Sequence, residues 1–292
     1  MASLRDIKTK IKGVNKTRQI TKAMNMVAAS KLRGLQGRTL QFRPYADKFS
    51  AVLARLSKGL LPGAHPLLQQ ADDVKSVALI VLTAERGMCG AFNNNILVEA
   101  VRFIKTQEDL GRKVRIYTIG GKGRNFFISR RPQDLIDSIT GDLGALGFES
   151  AARVSYFAVE DFMQHQVEEA YLLYSQFLSM GSQKPTIEKI LPVTPPVQEE
   201  DEAAGTIDYI IEPSAAALVG ELLPKYVNVR VFRALLETAT GEQAARMVAM
   251  DNATKNCKEI IDNLTTLYNK ARQAAITTEL IDIVSGAAAV SG

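Results

Sequence analysis

From Glu242 to Val284 the chain contains no proline or glycine, and its apolar positions follow one rule. Met250, Ala253, Cys257, Ile260, Leu264, Leu267, Ala271 and Ala274 are separated by alternating steps of three and four, and the pattern resumes at Ile281. A mean period of 3.5 is a heptad seam, which packs two helices into a left-handed supercoil. At the rise of an α-helix this run is a rod of roughly 65 Å. A rod of that length needs a partner helix along it. The start of the chain offers one: Leu4, Ile7, Ile11 and Val14 repeat the spacing, and Ile20, Met24, Val27, Ala28, Leu32, Leu35 and Phe42 extend an apolar stripe whose phase slips near Arg18. Periodicity continues past Pro44 to about Lys58, where Gly59 and the turn residues Leu61 to Pro66 end it.

The pattern changes at Ser76. Ser76 to Thr83 is an unbroken apolar run rich in β-branched residues, the mark of a strand covered on both faces. A helix is predicted over Asn93 to Gln107, a strand over Lys113 to Gly120, a short helix over Arg124 to Ser129 and an amphipathic helix over Ala151 to His165. Strands follow at Glu169 to Ser179 and Thr186 to Val193, joined by a short loop, and a last one at Ile207 to Pro213 after a proline-rich, acidic loop. Strands alternating with helices predict an open α/β sheet, mostly parallel, with a hairpin at one edge. The expected organisation is therefore a helix over 1–58, an α/β domain over 74–212, and a helix over 213–290 that pairs with the first in a long antiparallel coiled coil.

Composition narrows the chemistry. No apolar run reaches the eighteen or so residues that span a bilayer. Two cysteines and two histidines, without metal-ligand spacing, disfavour a metal site, a histidine-based triad or a disulfide framework. The formal charge of +5 is unevenly spread: Met1 to Arg43 holds eleven Lys or Arg and one acid, Asp6. Such an arm suits an acidic protein surface, an anionic membrane or nucleic acid. Nucleic-acid binding lacks interleaved aromatics to stack bases, the first being Phe42.

Two local motifs invite an enzymatic reading. Gly120 to Arg124 (GGKGR) follows a strand and opens a helix, as phosphate-binding turns do, but has the glycine spacing of neither nucleotide fingerprint. A structural turn is the better reading. Cys89, between Gly87 and Gly90, lies at the carboxyl end of the first strand, where open α/β sheets hold ligands. Neither histidine has an evident route to it as a base, so a small buried thiol in a tight turn is expected. Finally, Ile276, Leu280, Ile281, Ile283, Val284 and Ala287 to Val290 spread apolar groups around the end of the last helix. A helix apolar on several sides needs a socket.

Ile20 to Arg33 (ITKAMNMVAASKLR), Glu242 to Met250 (EQAARMVAM), Tyr268 to Val290 and the loop Arg86 to Asn93 (RGMCGAFN) closely resemble the gamma subunit of F-type ATP synthases, from end to end. Met88, Ala91 and Phe92 depart from that family's usual loop residues. The resemblance implies a non-catalytic central rotor shaft without cofactors. Its terminal helices would lie inside a ring of three alpha and three beta subunits, and its globular part would bear on the epsilon subunit and the membrane ring of c subunits. Proton flow through the c ring would turn the shaft and drive the beta sites through their conformations in turn. It further implies a peripheral position on the cytoplasmic face of a bacterial inner membrane, held through the c ring, and no nucleic-acid partner. Residue by residue, Lys22 and Met24 match positions facing the beta subunit. Arg272, Gln273, Thr277 and Glu279 match a polar catch touching the alpha–beta ring. Tyr209 and Glu212 fall in the region that meets the c ring and epsilon.

Overall fold

The computed structural model describes residues 3–58, 65–194 and 215–291. The first helix, α1, runs over Leu4–Lys58 without interruption at Pro44. Its start is capped by Ser3, whose hydroxyl accepts from the Asp6 N–H while the Asp6 carboxylate accepts from the Ser3 N–H. That reciprocal pair satisfies donors a helix start otherwise leaves open. After a 3₁₀ turn at Pro66–Leu68 the order is β1 (Ser76–Leu82), α2 (Phe92–Asp109), β2 (Lys113–Ile119), α3 (Gly121–Arg130), β3 (Leu135–Ile139), α4 (Phe148–Met163), β4 (Glu169–Ser179), β5 (Ser182–Leu191) and α5 (Ala215–Ser291).

The chain divides into two compact units. One joins residues 1–28 to 247–292 and the other is 29–246, so each long helix contributes to both. The boundaries differ from the helix boundaries that the apolar pattern suggests, because the inner parts of both long helices pack into the core of the α/β unit.

In that unit five strands form one sheet in the order β3-β2-β1-β4-β5. β1 pairs in parallel with β2 and β4, β2 in parallel with β3, and β4 with β5 as an antiparallel hairpin. Parallel strands need crossovers, which α2, α3 and α4 supply. Alternation along β1 divides the core. Val77, Leu79 and Val81 meet Ile96, Ala100 and Ile104 of α2 and Phe127 of α3. Ala78, Ile80 and Leu82 join Val154 and Ala158 of α4, Leu53 of α1 and Leu223, Val227 and Leu235 of α5. β1 is thus buried on both faces, as its unbroken apolar run requires.

The mostly parallel sheet with an edge hairpin matches expectation. β3 was not expected; it is a short edge strand, none of its residues fully buried. The loop expected over 193–205, from residue 195 on, and the strand expected at 207–213 lie outside the described residues.

Candidate functional site: the terminal helix pair and the glycine turns

In the unit formed by residues 1–28 and 247–292, burial on α1 falls on Leu4, Ile7, Ile11, Val14, Arg18, Thr21, Asn25 and Ala28, in unbroken steps of three and four, with Asn15 and Met24 half-buried beside that line. There is no slip at Arg18. The expected stripe residues Ile20 and Val27 are 60% and 58% exposed, while polar Thr21 and Asn25 hold the seam. Polar groups are tolerated there because they are paired. The Thr21 and Thr254 hydroxyls lie 2.7 Å apart, and the Asn25 amide donates to the Met247 carbonyl at 2.8 Å.

On α5 the buried or half-buried positions are Met247, Ala249, Met250, Ala253, Thr254, Cys257, Ile261, Leu264, Tyr268, Ala271 and Ala275. Met250, Ala253, Cys257, Leu264 and Ala271 are buried or half-buried at the expected positions. Ile260 and Leu267 do not: they are 47% and 50% exposed, and Ala274 is exposed too. The correction has a simple geometry. A walk of three-then-four and a walk of four-then-three share every second position, and adjacent residues differ by about 100° around the axis. Ile260 and Ile261 are equally apolar, so the partner helix, not the hydrophobic pattern, decides which faces inward.

Among the residues matched to partner contacts, Lys22 is exposed and Met24 half-buried. Arg272, Gln273, Thr277 and Glu279 are all exposed, with the Thr277 hydroxyl donating to its own helix at the Gln273 carbonyl, 2.9 Å away. The structure does not gather these residues into one site. Thr254 faces Thr21, and Arg272 lies eighteen positions further along α5, a displacement of about 27 Å. Residues 276–287 are exposed on every side, with Ile283 at 67% and Val284 at 66%. Tyr209 and Glu212 lie outside the described residues.

In the α/β unit, the turns at the carboxyl ends of β1, β2 and β3 converge on Glu85. Its carboxylate accepts from the N–H of Gly121, at the start of α3, at 2.8 Å and from that of Gly141 at 2.9 Å. The Gly123 N–H is taken by the Thr83 hydroxyl at 2.8 Å, and the Lys122 N–H by the Ala84 carbonyl at 3.2 Å. These donors are the ones a phosphate would use; the protein's own side chain and backbone occupy them. Gly120 has φ +104°, and a Cβ there would lie 1.9 Å from the Thr83 carbonyl oxygen, so glycine is required.

Cys89 is 1% exposed. Its sulfur accepts from the Asn93 amide at 3.2 Å, and burial pushes its pKa up, away from the thiolate. Next to it is a charged cluster that the sequence reading passed over. Arg246 pairs with Glu242 at 2.7 Å, their side chains 13% and 5% exposed, and also donates to the Gly87 carbonyl at 3.3 Å. Burial raises the Glu242 pKa, partly offset by Arg246. Lys31 of α1 pairs with Asp142 at 2.6 Å. The i,i+4 spacing of Glu242 and Arg246 was the available signal; their burial was not. Among the described residues no group of three or more His, Cys, Asp or Glu could hold a metal ion. No described helix is long and apolar enough to cross a membrane.

Comparison with known proteins places this geometry. A family model described as ATP synthase matches residues 3–290. The ATP synthase gamma chain of Syntrophobacter fumaroxidans is 48% identical over 291 residues, covering 99% of each chain. That of Nitratidesulfovibrio vulgaris strain Hildenborough is 42% identical over 292 residues, covering 100% of each. Among solved structures, a chain from the central stalk and c ring of the Tetrahymena thermophila mitochondrial ATP synthase is 26% identical, with TM-score 0.60 over 80% of this chain and 99% of that one. A chain from the Euglena gracilis mitochondrial OSCP/F1/c-ring assembly is similar in fold, with TM-score 0.66, 22% identity and coverage of 98% and 94%. The chain therefore belongs to the gamma-chain family of ATP synthases and is built as a central-stalk rotor shaft.

Proposed function

We propose that this chain couples the turning of a c ring to the conformational cycle of alpha and beta subunits and performs no chemistry itself. The single observation that carries the coupling role is the exposed apolar stretch of α5: residues 276–286 present Ile276, Leu280, Ile281, Ile283 and Val284 to solvent. An apolar surface spread around a helix end is stable in water only when something encloses it. A ring of alpha and beta subunits provides that enclosure. The off-seam residues Ile20, Met26, Val27, Ile260 and Leu267, all about half exposed or more, give the helix pair further apolar surface for the same ring.

The terminal helices, 1–58 and 213–290, act in this reading as one antiparallel shaft, and residues 74–212 as its globular base. Lys22 and Met24 face the beta subunit, and Arg272, Gln273, Thr277 and Glu279 form a separate polar contact nearer the tip. Tyr209 and Glu212 are assigned to the c ring and epsilon. The chain sits peripherally, held through the c ring on the cytoplasmic face of a bacterial inner membrane. A non-catalytic role is supported by two features of the α/β unit. The cradle at the start of α3 is filled by Glu85, and the Cys89 thiol is buried and hydrogen-bonded.

Charge reversal at Lys22 tests the assignment, because that side chain is exposed and outside the seam. Complexes carrying Lys22→Glu are expected to hydrolyse ATP but pump fewer protons into vesicles for each ATP consumed. An unchanged ratio of pumping to hydrolysis overturns the contact.

A further inference from the structure

One layer of the helix pair is not built like the rest. Its α1 seam positions are Arg18, Thr21 and Asn25, with Met24 half-buried beside them, and on α5 the small Ala253, Thr254 and Cys257 follow half-buried Met247 and buried Met250. In a coiled coil, large knobs in facing holes set how far one helix is displaced along the other. Thr21, Ala253, Thr254 and Cys257 provide no such knobs, and the large apolar side chains beside them are methionines, unbranched and able to adapt to a shifted partner, so apolar packing leaves the offset weakly determined in this layer.

Two directional bonds cross it instead. The Thr21 and Thr254 hydroxyls are 2.7 Å apart. Each is also within reach of a carbonyl of its own helix: Thr254 of Met250 at 2.7 Å, Thr21 of Arg18 at 3.1 Å. A hydroxyl has a single proton, so one threonine donates across the interface while the other donates back to its own helix. Four residues along α1, the Asn25 amide donates to the Met247 carbonyl at 2.8 Å. A carbonyl has two lone pairs, so this bond coexists with the one inside α5. Thr21 is 8% exposed, and both bonds are partly buried. An unpaired polar group in such a place is costly, which penalises any arrangement that separates them.

We propose that Thr21, Thr254 and Asn25 form a pin that fixes the axial offset and mutual rotation of the two helices, in place of rigid, branched apolar knobs and without adding to stability. From contacts of 2.7 and 2.8 Å, a slide of about 2 Å along the axis stretches both beyond hydrogen-bonding distance. Twisting a two-helix rod drives its helices past each other along the axis. In a shaft, the pin turns that shear into rotation of the pair as one body. The offset itself is a property of the chain and does not depend on the shaft reading.

Distances between spin labels on the full chain test the pin directly. Labels at Lys16→Cys and Lys270→Cys, both exposed and separated by about 16 Å along the axis, report on the offset in a background where Cys89 and Cys257 are replaced by alanine. The background is expected to give one narrow distribution. The apolar variant Thr21→Val, Asn25→Leu, Thr254→Val is expected to keep or raise Tm while broadening the distribution by about 2 Å, the slide the two bonds forbid. Replacing both threonines by serine, with Asn25 retained, restores the hydroxyls and is expected to keep it narrow. A distribution in the apolar variant as narrow as the background overturns the proposal, and so does a fall in Tm without broadening. Asn25→Ala adds no bulk and covers the case in which the triple variant does not fold. It too should broaden the distribution, and no broadening counts against the pin.

Discussion

The Glu85 carboxylate lies 2.8 Å from the Gly121 N–H, in the place where a nucleotide phosphate would sit at the start of α3. A helix start attracts anions because its N–H groups are unpaired. Here the anion is part of the chain, carried from the end of β1, and it also ties down Gly141. Calorimetry of the purified chain with ATP is therefore expected to show no stoichiometric micromolar binding. Glu85→Ala should lower unfolding free energy by about 1–3 kcal/mol, since it strands two N–H groups. Tight ATP binding by the wild-type chain that Glu85→Ala abolishes would reverse the assignment.

Glycines separate into required and replaceable. Gly120→Ala would place a methyl 1.9 Å from the Thr83 carbonyl oxygen at φ +104°. The loss should be about 3 kcal/mol or more, enough to reduce the yield of folded chain. Gly37, inside α1, has nothing within 4 Å of a built Cβ. Gly37→Ala should raise the stability of the isolated chain by up to about 1 kcal/mol. Chemical denaturation of both variants distinguishes the two classes, and equal losses would contradict this reading.

Seam phase gives a second contrast. Leu264 is half-buried on the seam and Leu267, three residues on, is 50% exposed. Leu264→Ala should cost about 1–2 kcal/mol, less than a fully buried leucine. Leu267→Ala should stay within about 0.5 kcal/mol in the isolated chain. In the assembled complex the order should narrow, because Leu267 belongs to the surface assigned to the ring. Equal destabilisation of the isolated chain by the two variants would restore the alternative phase.

The Lys31 ammonium beside Asp142 holds that carboxyl below its ordinary pKa, helped by the Gly144 N–H. A lowered folded-state pKa means that the stabilisation is present above the unfolded value. It is lost as pH falls through the lower, folded value. The stability gap between wild type and Asp142→Asn should therefore be constant near neutrality and close below the ordinary carboxylate range. With both side chains nearly half exposed, the gap should be about 0.5 kcal/mol or less and shrink with salt. A gap that widens on acidification would have the wrong sign.

Much of this was legible in the chain itself, wherever burial and apolarity coincide. β1 is an unbroken apolar run because both faces are covered, and the heptads of α5 fix Cys257, Leu264 and Ala271 whichever walk is taken. The pattern misleads where they part. Thr21 and Asn25 occupy seam positions because each finds a hydrogen-bond partner on α5, a fact no single-helix pattern contains. Ile260 and Ile261 are indistinguishable by hydropathy. β3 has only five residues, with Asp137 and Ser138 among them, so it lacks the apolar run that betrays its neighbours. The role of Glu85 depends on three strand ends meeting, which the order of the sheet creates and the local sequence does not announce.

The central claim is that this chain turns as a body inside its partners. The direct measurement is single-molecule rotation, with the alpha and beta subunits fixed to a surface and a bead attached at Lys184→Cys in the exposed β4–β5 hairpin of the globular unit. Labelling uses a background with Cys89→Ala and Cys257→Ala. The account predicts stepwise bead rotation in one direction when ATP is added, stopping when ATP is removed. ATP hydrolysis at the normal rate with a stationary bead, in complexes shown to contain this chain, would contradict it.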